Sequence, residues 1–174
     1  NLKYAVEEIY NLHSNLYKIK RLNIASLGDI VSGMNDVGNW SPTYINSTII
    51  DQSITGWTVI GELIQYWLTV FPEIHFYGVS GNHARSSRRG AEKDYVSWEF
   101  MLYLHLQCMF KDEPRVKFIC PPTWWIMAEI QGCDILMVHG HDMKSGSMPI
   151  KSLVDFEKKM STIVKKFPSY TLAG

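Results

Sequence analysis

Apolar residues recur along the chain with two different periods, and these periods predict an alternation of helices and strands. A spacing of three or four residues is typical of an amphipathic helix that packs on one face. It predicts a first helix whose packed positions are Leu2, Val6, Ile9, Leu12, Leu16 and Ile19. Further helices are predicted over 53–71, ended by Pro72, over 94–110, with Asp94 as the N-cap, and over 151–166. In the third of these helices, the residues expected to face the core include Val96, Phe100, Leu104 and Met109.

Short apolar runs predict strands between the helices, and three of these strands end in polar side chains. The run 22–27 leads into Gly28-Asp29, the run 74–79 into Ser80-Gly81-Asn82-His83, and the run 135–138 into His139-Gly140-His141. Other strands are predicted over 116–119, 123–130 and 169–174, with a tight turn at 131–134 and a long loop over 30–51. Strands that alternate with helices, together with neighbouring strands joined by a tight turn, indicate an α/β domain with a mixed sheet.

The composition fits one globular domain without an overall charge bias. The chain has 174 residues, of which 46% are hydrophobic, so it can bury a substantial core. Its 17 basic residues balance its 17 acidic residues, and contact with a polyanion would therefore have to come from a local patch. No apolar run approaches the roughly 20 residues that span a membrane, so no membrane partner is expected.

The cysteines and the first residues bear on the cellular setting. Cys108, Cys120 and Cys133 are well separated and never spaced as Cys-x-x-Cys, which argues against both a zinc knuckle and a disulfide framework. A reducing cytoplasm is the simplest setting. The N-terminus lacks the form of a signal peptide, and the absence of an initiating Met suggests that the true start lies upstream.

Each polar strand end has an ordinary explanation when it is taken alone. Gly28-Asp29 is a common turn sequence, Gly81-Asn82-His83 is compatible with a turn that carries a solvated histidine, and either histidine of His139-Gly140-His141 could simply bond the backbone. Their coincidence favours a site, because the carboxyl ends of strands in an open α/β sheet form the ligand crevice. The donors are oxygen and nitrogen without sulfur, which suits Mn, Fe, Zn, Ni or Mg better than a structural zinc site.

Three motifs of this chain resemble those of calcineurin-like metallophosphoesterases. GDIV around Asp29, GNHA around Asn82 and His83, and VHGH around His139 are similar in order and spacing to the middle three of five motifs of that superfamily. The resemblance spans nearly the whole chain and implies mixed sheets in a sandwich flanked by helices (αββα), as a single domain over 1–174. The family's first motif, Asp-x-His, and its last, Gly-His-x-His, do not occur. We expect the domain to be truncated at both ends and this segment to be inactive by itself; a degenerate family member is the alternative.

The resemblance also implies a role for each residue and two divalent metal ions as cofactors, with manganese as the first choice and Fe, Zn, Ni or Mg as alternatives. Asp29 would bridge the two ions, and Asn82 and His139 would complete the shell of the second ion together with a histidine from the last motif. His83 would not bind metal but would protonate the leaving oxygen. His141 would contact the substrate, support a metal ligand or serve a purely structural role. The ions would activate a water for direct attack on phosphorus.

A basic loop after His83 suggests the substrate. Residues 85–93 carry a local charge of +3, because this stretch contains four basic residues and one acidic residue: Arg85, Arg88, Arg89 and Lys93 against Glu92. Arg85 and Arg88 are therefore candidate contacts to the phosphates of a nucleic acid or nucleotide, although a solvated loop would have the same composition. Many family members have an acidic residue where Ala84 stands, and this variant is similar to phage and bacterial members associated with DNA processing.

These observations favour a phosphodiesterase or nuclease-like hydrolase acting on nucleic acid or nucleotides, with DNA as a candidate partner. The alternatives are a phosphomonoesterase or protein phosphatase on the same scaffold, and a nucleic-acid or partner-binding module that has lost catalysis. Trp124 and Trp125 could stack on a base, but packing against a helix is the expected role of both. Possible residues at the edge of the site, with turn formation as the default, are Asp36, Asn39 and Asp142.

Overall fold

The secondary structure alternates between helices and strands along most of the chain. The structure, a computed structural model, describes residues 2–33, 47–87, 93, 96–141 and 149–174. Within these ranges the helices are α1 (Leu2–Ser14), α2 (Ile49–Trp67), α3 (Trp98–Met109) and α4 (Pro149–Val164). The strands are β1 (Arg21–Ser26), β2 (Glu73–Gly78), β3 (Val116–Ile119), β4 (Trp125–Ile130), β5 (Cys133–Val138) and β6 (Tyr170–Ala173). The predicted α/β class is confirmed.

The described strands form two sheets of three strands each. In the first sheet, β1, β2 and β3 are parallel and lie in that order. In the second sheet, β5 pairs with β4 in antiparallel and with β6 in parallel orientation, so this sheet is mixed. The predicted tight turn between β4 and β5 is present, with positive φ at Gln131 and Gly132. Because β1 and β2 are parallel, the loops that carry Asp29 and Asn82 leave the first sheet at the same edge.

Side chains that alternate along the strands form three apolar layers: one on the outer face of each sheet and one between the two sheets. Ile74 and Phe76 of β2 face the layer formed with α2 and α3. Tyr77 of β2 packs with Met137 of β5 in the layer between the two sheets. On the far side of the second sheet, residues of β5 pack against α4; the buried members of this layer are Leu136, Val138, Phe156 and Met160. The order of layers is therefore helix, sheet, sheet, helix, as predicted.

Helix α2 begins earlier than the apolar periodicity predicts because a capping box precedes it. The hydroxyl of Thr48 accepts a hydrogen bond from the N–H of Asp51, and the Asp51 carboxylate accepts one from the N–H of Thr48. These two bonds satisfy backbone donors that the first turn of a helix leaves without partners. The helix consequently starts at Ile49 instead of Ser53.

The predicted packed face of the first helix is wrong. Helix α1 ends at Ser14, and the chain contacts the core through Val6, Tyr10 and Ile19. Most of the positions predicted to pack are exposed: Leu2 by 61%, Ile9 by 59%, Leu12 by 67% and Leu16 by 75%. The helix therefore has two apolar stripes, and only the shorter stripe is covered.

The predicted start and packed face of the third helix are also wrong. Helix α3 begins after Ser97, whose hydroxyl caps the N–H of Phe100; the predicted cap, Asp94, lies outside the described residues. Of the residues predicted to face the core, Val96, Leu104 and Met109 are exposed by more than 40%. The buried residues of the helix are Glu99, Leu102, Tyr103 and Leu106. This change of face brings a carboxylate into the interior.

Trp124 and Trp125 pack on the side of the second sheet that faces α4. Both join the apolar cluster with Phe156, and the ring centroids of Trp124 and Phe156 are 5.9 Å apart. The predicted packing role of the two tryptophans is therefore confirmed. Across the residues that the structure describes, no helix is long and apolar enough to cross a membrane.

Glu73 joins all three strands of the first sheet, and its removal should change the acid stability of the protein. Its carboxylate lies 3.0 Å from Lys117 Nζ, 2.7 Å from His75 Nε2 and 2.9 Å from Arg21 Nε. Hydrogen bonds from Lys117, His75 and Arg21, in that order of effect, lower the pKa of Glu73 from 4.5 to about 2. A depressed folded pKa contributes stability that is present above pH 4.5 and is lost as the pH falls toward 2.

We therefore expect Glu73→Gln to be less stable than the wild type at pH 6, with a difference that narrows between pH 4.5 and pH 2. Urea unfolding at several pH values measures this difference. Glu62→Gln, on an exposed position of α2, is the control and should unfold in parallel with the wild type. A constant gap between Glu73→Gln and the wild type over this range would contradict the expectation.

Candidate metal centre

Four of the predicted site residues meet where β1, β2 and β5 end. Asp29 follows β1, Asn82 and His83 follow β2, and His139 comes directly after β5. The register of the parallel pair aligns Ser26 with Gly78, and the Val79 N–H donates to the Ser26 carbonyl at 3.0 Å. The two loops of the first sheet are therefore side by side as they leave their strands.

His139 is the centre of this group. Its Nε2 atom lies 2.9 Å from Asn82 Oδ1 and 3.1 Å from Asp29 Oδ2, and its Nδ1 atom lies 2.7 Å from the Leu27 carbonyl oxygen. A carbonyl oxygen only accepts hydrogen bonds, so Nδ1 carries a proton and donates it to Leu27. In a neutral ring, Nε2 then presents a lone pair to two oxygen atoms. A proton or a cation between Nε2 and the two oxygens would make this contact favourable.

The separations of these donors fit a metal shell. In an octahedral shell with metal–oxygen bonds of about 2.1 Å, adjacent donor atoms are about 3 Å apart. The two distances from Nε2, 2.9 Å and 3.1 Å, match this spacing. Over the described residues, no group of three donors drawn from His, Cys, Asp and Glu alone could hold a metal. The set of metal-ligand atoms reaches three because Asn82 supplies an amide oxygen. A hydrogen bond from the other ring nitrogen to a backbone carbonyl, as His139 forms with Leu27, is typical of metal-binding histidines.

His83 and His141 lie beside this set in different ways. The N–H of His83 donates to Asp29 Oδ1 at 3.1 Å, while its Nε2 atom is 3.9 Å from Asp29 Oδ2. Its side chain is 28% exposed, against 10% for His139. The ring of His141 lies next to the ring of His139, with centroids 5.4 Å apart and planes tilted by 39°. Asp29 thus holds the His83 loop with one oxygen and faces His139 with the other.

Two glycines allow the loops to approach each other this closely. Gly28 has a φ of 93°, and a Cβ added there would lie 2.5 Å from Gly81 N and 2.9 Å from His139 Nδ1. A Cβ added at Gly81 would lie 2.1 Å from Asp29 Oδ1. Asp29 itself has a φ of 57°, a left-handed conformation that costs a non-glycine residue about 1 kcal/mol. Neither glycine position has room for a side chain.

A buried carboxylate that the sequence analysis missed supports both loops. Glu99, in the first turn of α3, is fully buried. Its Oε2 atom accepts from the Gly81 N–H at 2.6 Å, and its Oε1 atom accepts from the Ile30 N–H. Burial raises the pKa of Glu99 to about 7, although the bonds from Gly81 and Ile30 act in the opposite direction. The signal that could have revealed it is the spacing of Glu99, Leu102, Tyr103 and Leu106, which places them on one helical face.

Of the two arginines predicted to contact substrate, the structure describes Arg85 and does not describe Arg88. The backbone of Arg85 forms an antiparallel bridge with Ser97, so its position is tied to the start of α3, and its side chain is half-buried. Arg88, together with Asp36, Asn39 and Asp142, lies outside the described residues. The structure therefore brings together Asp29, Asn82, His83 and His139, with His141 adjacent.

Comparisons with known proteins do not extend this description. No protein-family model, no curated protein and no solved structure matches the chain.

The close approach of the loops predicts that substitution of Gly28 is much more damaging than substitution of Gly132. Gly28→Ala should destabilise the protein strongly and displace Asp29, because the added Cβ meets backbone and a histidine ring. Gly132 also has a positive φ, 78°, but a Cβ there meets nothing within 4 Å. Gly132→Ala therefore controls for the conformational cost of about 1 kcal/mol.

Urea unfolding and binding of Mn²⁺ measure the two effects. We expect Gly132→Ala to bind Mn²⁺ like the wild type and Gly28→Ala to bind it much more weakly at a temperature where it remains folded. Equal behaviour of the two variants would show that the loops tolerate a wider separation.

Proposed function

We propose that this protein is a metal-dependent phosphoesterase that hydrolyses phosphodiesters of nucleic acids or nucleotides with the help of two divalent ions, manganese first among them. The observation that carries the proposal is the environment of His139. Its Nδ1 atom is committed to the Leu27 carbonyl, and its Nε2 atom faces Asp29 Oδ2 and Asn82 Oδ1 at the spacing of adjacent metal ligands. The motifs around the same residues, which resemble those of calcineurin-like metallophosphoesterases, support the same conclusion.

Asp29, Asn82 and His139 would hold the ion nearest to His139, and Asp29 would share its carboxylate with the other ion. The bound ions supply a water of lowered pKa and neutralise charge on the phosphoryl oxygens. Asn82 provides an oxygen ligand without adding a negative charge, which matters because the substrate is an anion. The bond from His139 to Leu27 fixes the ring so that Nε2 points at the other two ligands.

His83 is the candidate general acid for the leaving oxygen. It is adjacent in sequence to a ligand, its backbone is held by Asp29, and its side chain is more exposed than that of His139. This combination would place the imidazole of His83 near the phosphorus of a bound substrate, while the metal ligands remain Asp29, Asn82 and His139. General acid catalysis by a positioned side chain typically contributes about 10²- to 10⁴-fold to the rate.

The preference for a phosphodiester rests on the basic stretch after His83. Arg85 begins a segment of local charge +3 that follows His83 closely in the sequence, and arginine can bind a phosphate with two parallel hydrogen bonds. A phosphomonoesterase or a protein phosphatase would use the same metal ligands, so the substrate assay has to separate them. We place the enzyme in the cytoplasm because its cysteines suit a reducing compartment.

A second candidate function is a binding module without catalysis. The distances around His139 Nε2 are also those of hydrogen bonds from a doubly protonated imidazole to two oxygens. In that case the group would hold the loops together by charge, and no ion would bind. Measurement of metal content separates this alternative from the enzyme.

The proposal predicts that the full-length protein hydrolyses bis(p-nitrophenyl) phosphate when Mn²⁺ is added. His83→Ala should reduce turnover by about 10²-fold or more while the bound metal stays near the wild-type level. Asp29→Asn, the matched variant in the ligand set, should lose metal and activity together. Steady-state assays with metal analysis of the same samples provide both values.

Different results would contradict the role of His83, the binding of metal and the substrate class. Wild-type turnover in His83→Ala would remove His83 from the role of acid. Absence of bound metal and of turnover in the wild type would favour the binding module, and unchanged metal content in Asp29→Asn would remove Asp29 from the ligand set. A parallel screen with single-stranded DNA, double-stranded DNA, cyclic nucleotides and monoesters identifies the substrate class.

A further inference from the structure

Glu99 is the charged residue most deeply enclosed in the described part of the chain, and it touches neither a charged partner nor solvent. It is the second residue of α3, it is 0% exposed, and its carboxylate accepts hydrogen bonds from backbone N–H groups. A buried carboxylate without a cationic partner is costly, so its presence has to be explained by the groups that it binds.

The hydrogen bonds of Glu99 end on two different loops, and its donors Ile30 and Gly81 each lie one residue from a proposed ligand. Ile30, which donates to Oε1, directly follows Asp29. Gly81, which donates to Oε2 at 2.6 Å, directly precedes Asn82. One rigid group of two oxygens therefore sets the separation of the two loops at the point where their ligands emerge.

The first turn of α3 is itself fixed to the loop that carries Asn82. The Ser97 hydroxyl donates to the Ser80 hydroxyl at 2.8 Å, and the N–H of Trp98 donates to the Ala84 carbonyl at 2.9 Å. Leu102 and Leu106, further along α3, are fully buried in the core. The carboxylate thus projects from a helix that cannot shift independently of the site.

We propose that Glu99 is a positioning residue that presets the metal site by holding the Asp29 loop and the Asn82 loop at the distance that an ion requires. The inference rests on the proposed function, since it assigns Glu99 a purpose only if Asp29, Asn82 and His139 bind metal. Glu99 does not touch the ion or the substrate. Outer groups of this kind typically change metal affinity by about 10- to 100-fold when they are removed.

Glu99→Gln tests the proposal with little change in volume. An amide has one acceptor oxygen, so its NH₂ group must face the N–H of either Ile30 or Gly81, and one loop loses its bond. We expect the dissociation constant for Mn²⁺ to rise by about 10- to 100-fold, measured by titration calorimetry on the full-length protein. Saturating Mn²⁺ should restore most of kcat with bis(p-nitrophenyl) phosphate, and KM should change little.

Leu106→Ala is the matched control for stability. Leu106 lies on the same helix, is equally buried, and faces Gly61 of α2 instead of the two loops. This variant should melt at a lower temperature but bind Mn²⁺ like the wild type. A comparable loss of affinity in Leu106→Ala, or wild-type affinity in Glu99→Gln, would overturn the proposal for Glu99 and leave the proposed function intact. Absence of Mn²⁺ binding by the wild type would overturn both.

Two further measurements apply if Glu99→Gln fails to fold. Glu99→Asp keeps the charge but is shorter, and it should weaken Mn²⁺ binding because it cannot reach both loops. In the wild type, NMR titration with Mg²⁺ should shift the backbone amide signals of Ile30 and Gly81 but not that of Leu106. Unmoved signals at Ile30 and Gly81, accompanied by a shifted side-chain amide of Asn82, would contradict the proposed role.

Discussion

The candidate site depends on the contact between two backbone segments at Gly28 and Gly81. An added Cβ at Gly28 would come within 2.5 Å of Gly81 N, so the two loops pass each other with no room for a side chain between them. The parallel register of β1 and β2 brings the loops to this point, and the left-handed conformation of Asp29 turns its carboxylate across the gap. Because His83 N–H then binds Asp29 Oδ1, the same carboxylate both closes the gap and faces His139.

The polar ends of the strands could be predicted from sequence, whereas the start of α2 and the role of Glu99 were not. Apolar runs that end in Asp29, Asn82-His83 and His139 are local features, and parallel strands necessarily bring their ends together. Thr48 and Asp51 also form a local capping pattern, which the apolar periodicity obscured by suggesting a later start. Glu99 was missed for a different reason: apolar residues lie on several faces of α3, so the face that carries Glu99, Leu102 and Leu106 was only one of the candidates for packing. The elements that pack against such a helix decide which of its faces is buried, and the periodicity of the helix itself does not identify those elements.

The first helix illustrates the same limit from the opposite direction. Its strongest apolar stripe, which includes Leu2, Ile9 and Leu12, is exposed, while Val6 and Tyr10 make the contacts with the core. Periodicity measures whether a helix has an apolar face but not which of two faces is covered. The strands were predicted more accurately because β2 and β5 bury residues on both faces, and a continuous apolar run marks such a strand without a choice of side.

Electrostatics connects the buried carboxylate with the proposed ions. Asp29 contributes to the raised pKa of Glu99, after burial, because two negative charges in one region oppose each other. The same region contains the amide oxygen of Asn82, the carbonyl oxygen of Leu27 and the Nε2 atom of His139, all of which are acceptors when the imidazole is neutral. Backbone N–H groups offset part of this excess, at Gly81 and Ile30 for Glu99 and at His83 for Asp29. The proposed divalent ion would balance the acceptors around Nε2 while leaving Nδ1 bonded to Leu27. The local excess of acceptors, the neutral amide oxygen of Asn82 and the bond that fixes His139 at Nδ1 are thus the three features that support the proposal of a bound cation.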